Sequence, residues 1–179
     1  MFLLREKTKT QQILKILKVL AWLASIGFTV KAGAFLISFI VSYFNPNAAM
    51  NLYKGLNLYD LSLFDFQKYS LMVFILVGLT VMKAAIWVMV AKIISKIELK
   101  NPFTKDVARR LEFISYTLFT TWLLAIIGNI YINLLGEMTD KLNGTLDAHN
   151  YLFMAGLVFI ISQIFKRGVE LQSENELTV

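Results

Sequence analysis

Four apolar stretches, each near the length of a bilayer-crossing helix, constrain this chain more than any other feature. They cover about 19–44, 69–94, 113–135 and 151–165. A helix needs about 20 mostly apolar residues to cross a hydrocarbon core about 30 Å thick. Lys31 alone interrupts the first stretch; Lys83 interrupts the second, which also has Lys92 at its inner edge, while the third carries no charge. The fourth is shorter and is expected to extend a few residues at both ends. Composition agrees: apolar residues make up 57% and charged residues 17%, against about 45–50% and about 25% in a soluble domain. The expected fold is all-α, one four-helix transmembrane bundle of up-down-up-down topology forming a single membrane domain over 1–179.

Lys and Arg in the short flanks set the orientation. Thirteen of the 18 lie before the first stretch, between the second and third (Lys92 to Arg110), or just after the fourth. Three lie in the opposite loops, at Lys54, Lys68 and Lys141. Both termini are therefore expected in the cytoplasm, with outer loops 45–68 and 136–150, an inner loop 95–112 and a cytoplasmic tail 167–179. The net charge of +6 then reports topology and contact with the lipid bilayer rather than direct nucleic-acid binding. A cleaved signal peptide is a weaker reading of the start. Lys31 breaks the apolar run just before Ala32-Gly33-Ala34, and Phe35 to Phe44 continues it.

Between the stretches the chain is uneven. Residues 2–18 mix basic and apolar residues, as a simple basic flank or a helix lying at the inner interface would. In the first outer loop, Leu56-Asn57-Leu58 and Leu61-Ser62-Leu63 alternate about a Lys54-Gly55 turn, the pattern of a small β-hairpin. This loop is also rich in Leu, Tyr and Phe, so it needs cover from the bundle's own mouth, from lipid or from a partner. Asn143-Gly144-Thr145 is a sequon without meaning outside a secretory pathway. In the inner loop Asn101-Pro102 ends one helix and Thr104 caps the next, predicting a helix from about Lys105 into the third stretch.

The Asn101-Pro102-Phe103-Thr104 stretch, then Arg110-Leu111, the third span, Arg167-Gly168-Val169-Glu170-Leu171-Gln172 and the Glu174-Asn175-Glu176-Leu177-Thr178-Val179 end occur in a telling order. In that order and spacing the chain resembles a bacterial family of small four-span inner-membrane proteins, the domain-of-unknown-function 2975 family. The resemblance implies a bacterial inner-membrane protein, often encoded beside a small helix-turn-helix regulator. It brings no catalytic residue with it.

Chemistry centres on Lys31 and Lys83, both expected about 17 Å deep. A lysine there costs about 2.5–3.5 kcal/mol and is a functional candidate by default. Either one lysine is neutral, or a polar cavity surrounds them, or an anion bridges them; tucking against helix carbonyls in a wet groove is the bland outcome. Thr29, Thr80, Asn129, Asn133 and Gln163 are the polar groups available to such a cavity, with Thr120 and Thr121. Ala21, Ser25, Thr29 and Gly33 form an every-fourth stripe that admits a close helix neighbour, inside the bundle or in a homo-oligomer. With no Cys and a lone His149, thiol chemistry, bis-His haem and Ser-His catalysis find no support, and no cofactor or metal is expected.

The leading expectation is thus a non-enzymatic protein that binds, as a signalling or regulatory partner. Its candidate cytoplasmic surface is Asn101, Pro102, Phe103, Thr104, Arg109, Arg110, Glu170, Glu174, Asn175 and Glu176, and a cytoplasmic protein is the candidate partner. The rival is a small transporter, channel or lipid- or anion-binding protein using Lys31 and Lys83. A membrane scaffold or immunity-type protein is the third.

Overall fold

The computed structural model describes residues 9–53, 56–97, 102–139 and 145–176, with the side chains of 137–139 and 175–176 left out of the description. Helix α1 is Lys9–Phe44, a 3-10 turn follows at Pro46–Asn51, and α2 is the short Tyr59–Phe64. Helix α3 is Phe66–Lys96, α4 is Lys105–Thr139 and α5 is His149–Glu176. α1, α3, α4 and α5 are each long and apolar enough to cross a membrane.

Local chemistry sets several of the boundaries. The Asp65 carboxylate accepts the backbone N–H groups of Gln67 and Lys68 and so opens α3. The Thr104 hydroxyl accepts the N–H of Val107 at 3.3 Å and opens α4. At the far end α5 continues well past its apolar part, as a helix to Glu176. The polar stretch from 167 to 176 is helical backbone rather than a loop.

The long helices pack in sequence, α1 on α3, α3 on α4 and α4 on α5. They run antiparallel. Ser25 of α1 donates to the Ala84 carbonyl of α3, while Ser42 pairs with the Tyr69 hydroxyl at 2.8 Å nearer the other end. Thr121 of α4 reaches Met82 of α3 at 3.5 Å, and Lys166 of α5 bonds Glu112 of α4 at 2.6 Å. One end of the row carries Lys92, Lys96, Lys105, Arg109, Arg110 and Lys166; we call it the basic end. The segment between α1 and α3 covers the other, the capped end.

Burial separates the helices. In the most apolar window of α1 and of α5 only 11% of residues are buried, against 28% in α3 and 33% in α4. Ile13, Ile16, Leu20, Leu23, Ile26, Val30, Ile37 and Ile40 of α1 and Phe153, Leu157, Ile160 and Ile164 of α5 are exposed. Such continuous apolar surface is incompatible with water and suited to lipid tails.

The stripe by which α1 meets α3 is Ala21, Ser25, Ala32, Phe35 and Ser42. The expected every-fourth stripe holds only over its first two members: Thr29 is exposed, and a Cβ on Gly33 would meet nothing within 4 Å. The reason is geometric. At 3.6 residues per turn a strict four-residue step drifts about 40° each time, so Thr29 and Gly33 rotate off the face.

The capped end corrects the hairpin expectation. Leu61, Ser62 and Leu63 lie in α2, Lys54-Gly55 fall outside the described residues, and no strand occurs among the described residues. Leu58 and Leu61, three apart, present one helical face and are 3% and 1% exposed. With Ala49 and Leu52 they close over Phe35, Tyr69, Met72, Val73, Ile132 and Leu135. Most of the loop's hydrophobicity is therefore spent on the protein's own mouth. Leu63, Phe64 and Phe44 remain exposed around its rim.

Candidate functional site

Lys31 and Lys83 are placed first by helix register. The Ser25–Ala84 and Ser42–Tyr69 contacts set Lys83 opposite about residue 27 of α1, four residues and about 6 Å along the axis from Lys31. The Lys31 ammonium lies over the rings of Phe35 and Tyr53, at 5.6 and 5.4 Å from the centroids. The Lys83 ammonium lies over Phe28 and Tyr151, at 6.0 and 5.4 Å. Phe28, Lys31 and Phe35 share one face of α1 by their i, i+3, i+7 spacing. Both lysines therefore sit on the same side of the α1–α3 pair, each against its own pair of rings. A cation on an aromatic face gains about 0.5–2 kcal/mol, the upper value when desolvated. Such contacts would offset part of the cost of a lysine held at membrane depth.

The aromatic partners were missed in the sequence. Phe35 was available as the i+4 neighbour of Lys31, whereas Tyr53 and Tyr151 come from a loop and a distant helix that no local pattern connects to a lysine.

The other polar groups bond within their own helices or are exposed. Thr29 is exposed and donates to the Ser25 carbonyl of its own helix at 2.9 Å. Thr80 is buried but donates to the Leu76 carbonyl at 2.7 Å. Asn133 and Gln163 are exposed, and Gln163 donates to the Ser162 hydroxyl at 3.2 Å.

Asn129 has a different task. Its amide donates to the Leu146 carbonyl at 2.9 Å, and its carbonyl accepts the Leu146 N–H at 2.6 Å. Residues 145–148 are non-helical, and Ala148 packs with Ala125 of α4 and Ile75 and Leu79 of α3. The chain thus turns back beside α4, and α5 starts about ten residues short of the α4 end, or about 15 Å. Irregular backbone at that depth needs protein partners in place of water. Asn129 supplies both. Gly128 makes the approach possible, because a Cβ there would stand 2.5 Å from Leu146 Cδ1 and 3.1 Å from Ile75 Cγ2.

At the basic end, one contact ties the 102–104 connection to the tail helix. Gly168 of α5 faces the Phe103 ring so closely that a Cβ would meet it at 2.6–3.1 Å. The ring also packs on Phe165 at 5.1 Å between centroids. The 102–104 connection is thereby tied to the start of the tail, with Pro102, Phe103 and Thr104 all half-buried. Asn101 lies outside the described residues, as do the side chains of Asn175 and Glu176. Arg167 holds Glu170 at 2.8 Å and Glu174 at 3.7 Å along the helix.

Asp106 gathers Lys96 of α3 at 2.9 Å and Arg110 at 3.0 Å. Hydrogen bonds from Arg110, then Lys96, hold its carboxyl at about 2 rather than the usual 3.8. A depressed carboxylate contributes stability that is present above the unfolded value and lost as pH falls through the folded one. The bridge should accordingly persist at pH 4 and open only towards pH 2. Carbon NMR of the Asp106 carboxyl checks this: a midpoint near 2 is expected, and one near 4 would mean that the bridge does not form.

Residues 60–179 match the model of the family described as protein of unknown function (DUF2975). The chain belongs to that family. The match takes in α3, α4 and α5 with their residues at the basic end, and begins one residue into α2. No curated protein and no solved structure matches the chain. Membership in DUF2975 supports the resemblance drawn from the Asn101–Thr104 and tail motifs, and it attaches no activity to them.

Proposed function

We propose that this DUF2975 protein is a non-enzymatic bacterial inner-membrane protein with both termini in the cytoplasm, acting by binding a cytoplasmic protein at its basic end. The observation that carries the reading is the continuation of α5 as a helix to Glu176, locked by Phe103 against Gly168. About ten residues of helix beyond the apolar part amount to ~15 Å of ordered projection. A preordered surface loses little entropy on binding, which favours a recognition role over a solvated tether. Its charge is mixed: Glu170 and Glu174 lie on the tail, with Lys105, Arg109 and Lys166 beside it, lining a groove of about 380 Å³ with Glu112. A small helix-turn-helix regulator is the partner class that the family resemblance favours.

A photo-crosslinking residue at the exposed Leu171 tests the reading in living cells. One discrete protein adduct is expected, reduced at least about five-fold by Gly168→Leu, which must push the Phe103 ring away. The same probe at Phe153, on the exposed apolar face of α5, should give none. An adduct at Leu171 that is indifferent to Gly168→Leu and to Phe103→Ala would overturn the proposal, as would no adduct at all.

A further inference from the structure

We propose that the groove between α3 and α4 at the basic end is a binding site for the phosphate of an anionic phospholipid. The groove has a volume of about 350 Å³ and is lined by Met89, Lys92, Asp106, Arg109, Arg110 and Phe113. Its charge is strongly positive, because Asp106 is already engaged by Lys96 and Arg110. Lys92 and Arg109 are exposed, and neither has an ion-pair partner among the described residues.

The vertical order of these residues selects a lipid over a free anion. Met82 of α3 lies beside Thr121 of α4. Following that antiparallel register towards the basic end puts Met89 level with Ile114 and Lys92 level with Leu111. Met89 and Phe113 thus form the deeper wall, next to the apolar span, and Phe113 is 60% exposed there. Lys92, Arg109 and Arg110 form the shallower rim, one turn nearer water. An apolar wall beneath a cationic rim matches an acyl chain beneath its phosphate, whereas inorganic phosphate would have no use for the wall. Basic pockets between membrane helices bind anionic headgroups by this division of labour.

Native mass spectrometry of the full chain released from detergent tests the site, using phosphatidylglycerol and phosphatidylcholine as probes. One phosphatidylglycerol per chain should be retained, at an affinity at least about ten-fold above phosphatidylcholine. Lys92→Gln and Arg109→Gln should each weaken it about five-fold, from about 1 kcal/mol per basic residue at an anionic lipid surface. Both positions are exposed, so each single variant is expected to fold, and its helicity is compared with the parent. Lys15→Gln/Lys18→Gln removes two charges from α1 at the same end, one more than either groove variant, and should leave the preference intact. Equal retention of the two lipids would overturn the site. So would a preference that survives both groove variants, or one lost equally in the α1 variant, which would make it a property of the whole face. A bound mass of inorganic phosphate in place of lipid, sensitive to the same two variants, would overturn the lipid assignment. Loss of the cytoplasmic adduct at Leu171 would leave these results unchanged, since the assay holds only protein and lipid.

Discussion

Asn129→Leu is expected to destabilise this protein by about 2–4 kcal/mol, although it makes an apolar helix more apolar. Hydropathy alone forecasts the opposite sign, since leucine is favoured at membrane depth. The difference lies in the Leu146 backbone, whose N–H and carbonyl are both bonded by the Asn129 amide. Leucine there leaves a donor and an acceptor unpaired, at about 1–3 kcal/mol each, less the small apolar gain. Asn133→Leu is the matched control, being the same residue type one turn away on the same helix but exposed. It should be neutral or slightly stabilising. Unfolding in mixed micelles reads both variants. Equal behaviour at the two positions would mean that the chain does not fold back beside α4.

Tyr69→Ala should cost about 3–5 kcal/mol, the usual range for emptying a large buried aromatic site. Tyr69 has no exposed surface. Its ring packs on Phe39 at 5.7 Å and Phe66 at 5.6 Å, and its hydroxyl pairs with Ser42 of α1 at 2.8 Å. It therefore joins α1, α3 and the capping segment at one point. Tyr69→Phe keeps the ring and should lose only about 1 kcal/mol, the net worth of one hydrogen bond. The same micelle unfolding separates the two. Similar losses for both variants would make the hydroxyl, and not the ring, the joint.

These variants also mark what the sequence could and could not disclose. Four helices were legible because a run of about 20 apolar residues is a long, redundant signal. The start of α4 was legible from Pro102 and Thr104, whose roles are local. The α2 region was not. Leu61-Ser62-Leu63 alternates over only three residues, and Leu58 with Leu61 reads equally as one turn of helix. Packing in one cluster with Tyr69 of α3 and with Ile132, far away in sequence, decides between the two. Asn129 was noticed as a polar group in a span, but its partner is the backbone of residue 146, which any sequence would offer. Gly128 beside it, a residue without a side chain where the other segment comes close, was not singled out in the sequence. For the lysines, length and charge flagged two cations in apolar helices, while the rings that lie under them arrive from three separate elements. At the basic end the motif residues Phe103 and Gly168 were visible as a resemblance, and their contact explains why a glycine stands where a helix would prefer alanine.

The central claim is that the four long helices cross the bilayer with the basic end in the cytoplasm. The chain contains no cysteine, so single cysteines can be placed at will, at Met50 on the capped end and at Ser173 on the tail, both exposed. A membrane-impermeant thiol reagent added to intact bacterial cells should label Met50→Cys at once and reach Ser173→Cys only after permeabilisation. Labelling of Ser173→Cys in intact cells, with Met50→Cys protected or not, would contradict the account.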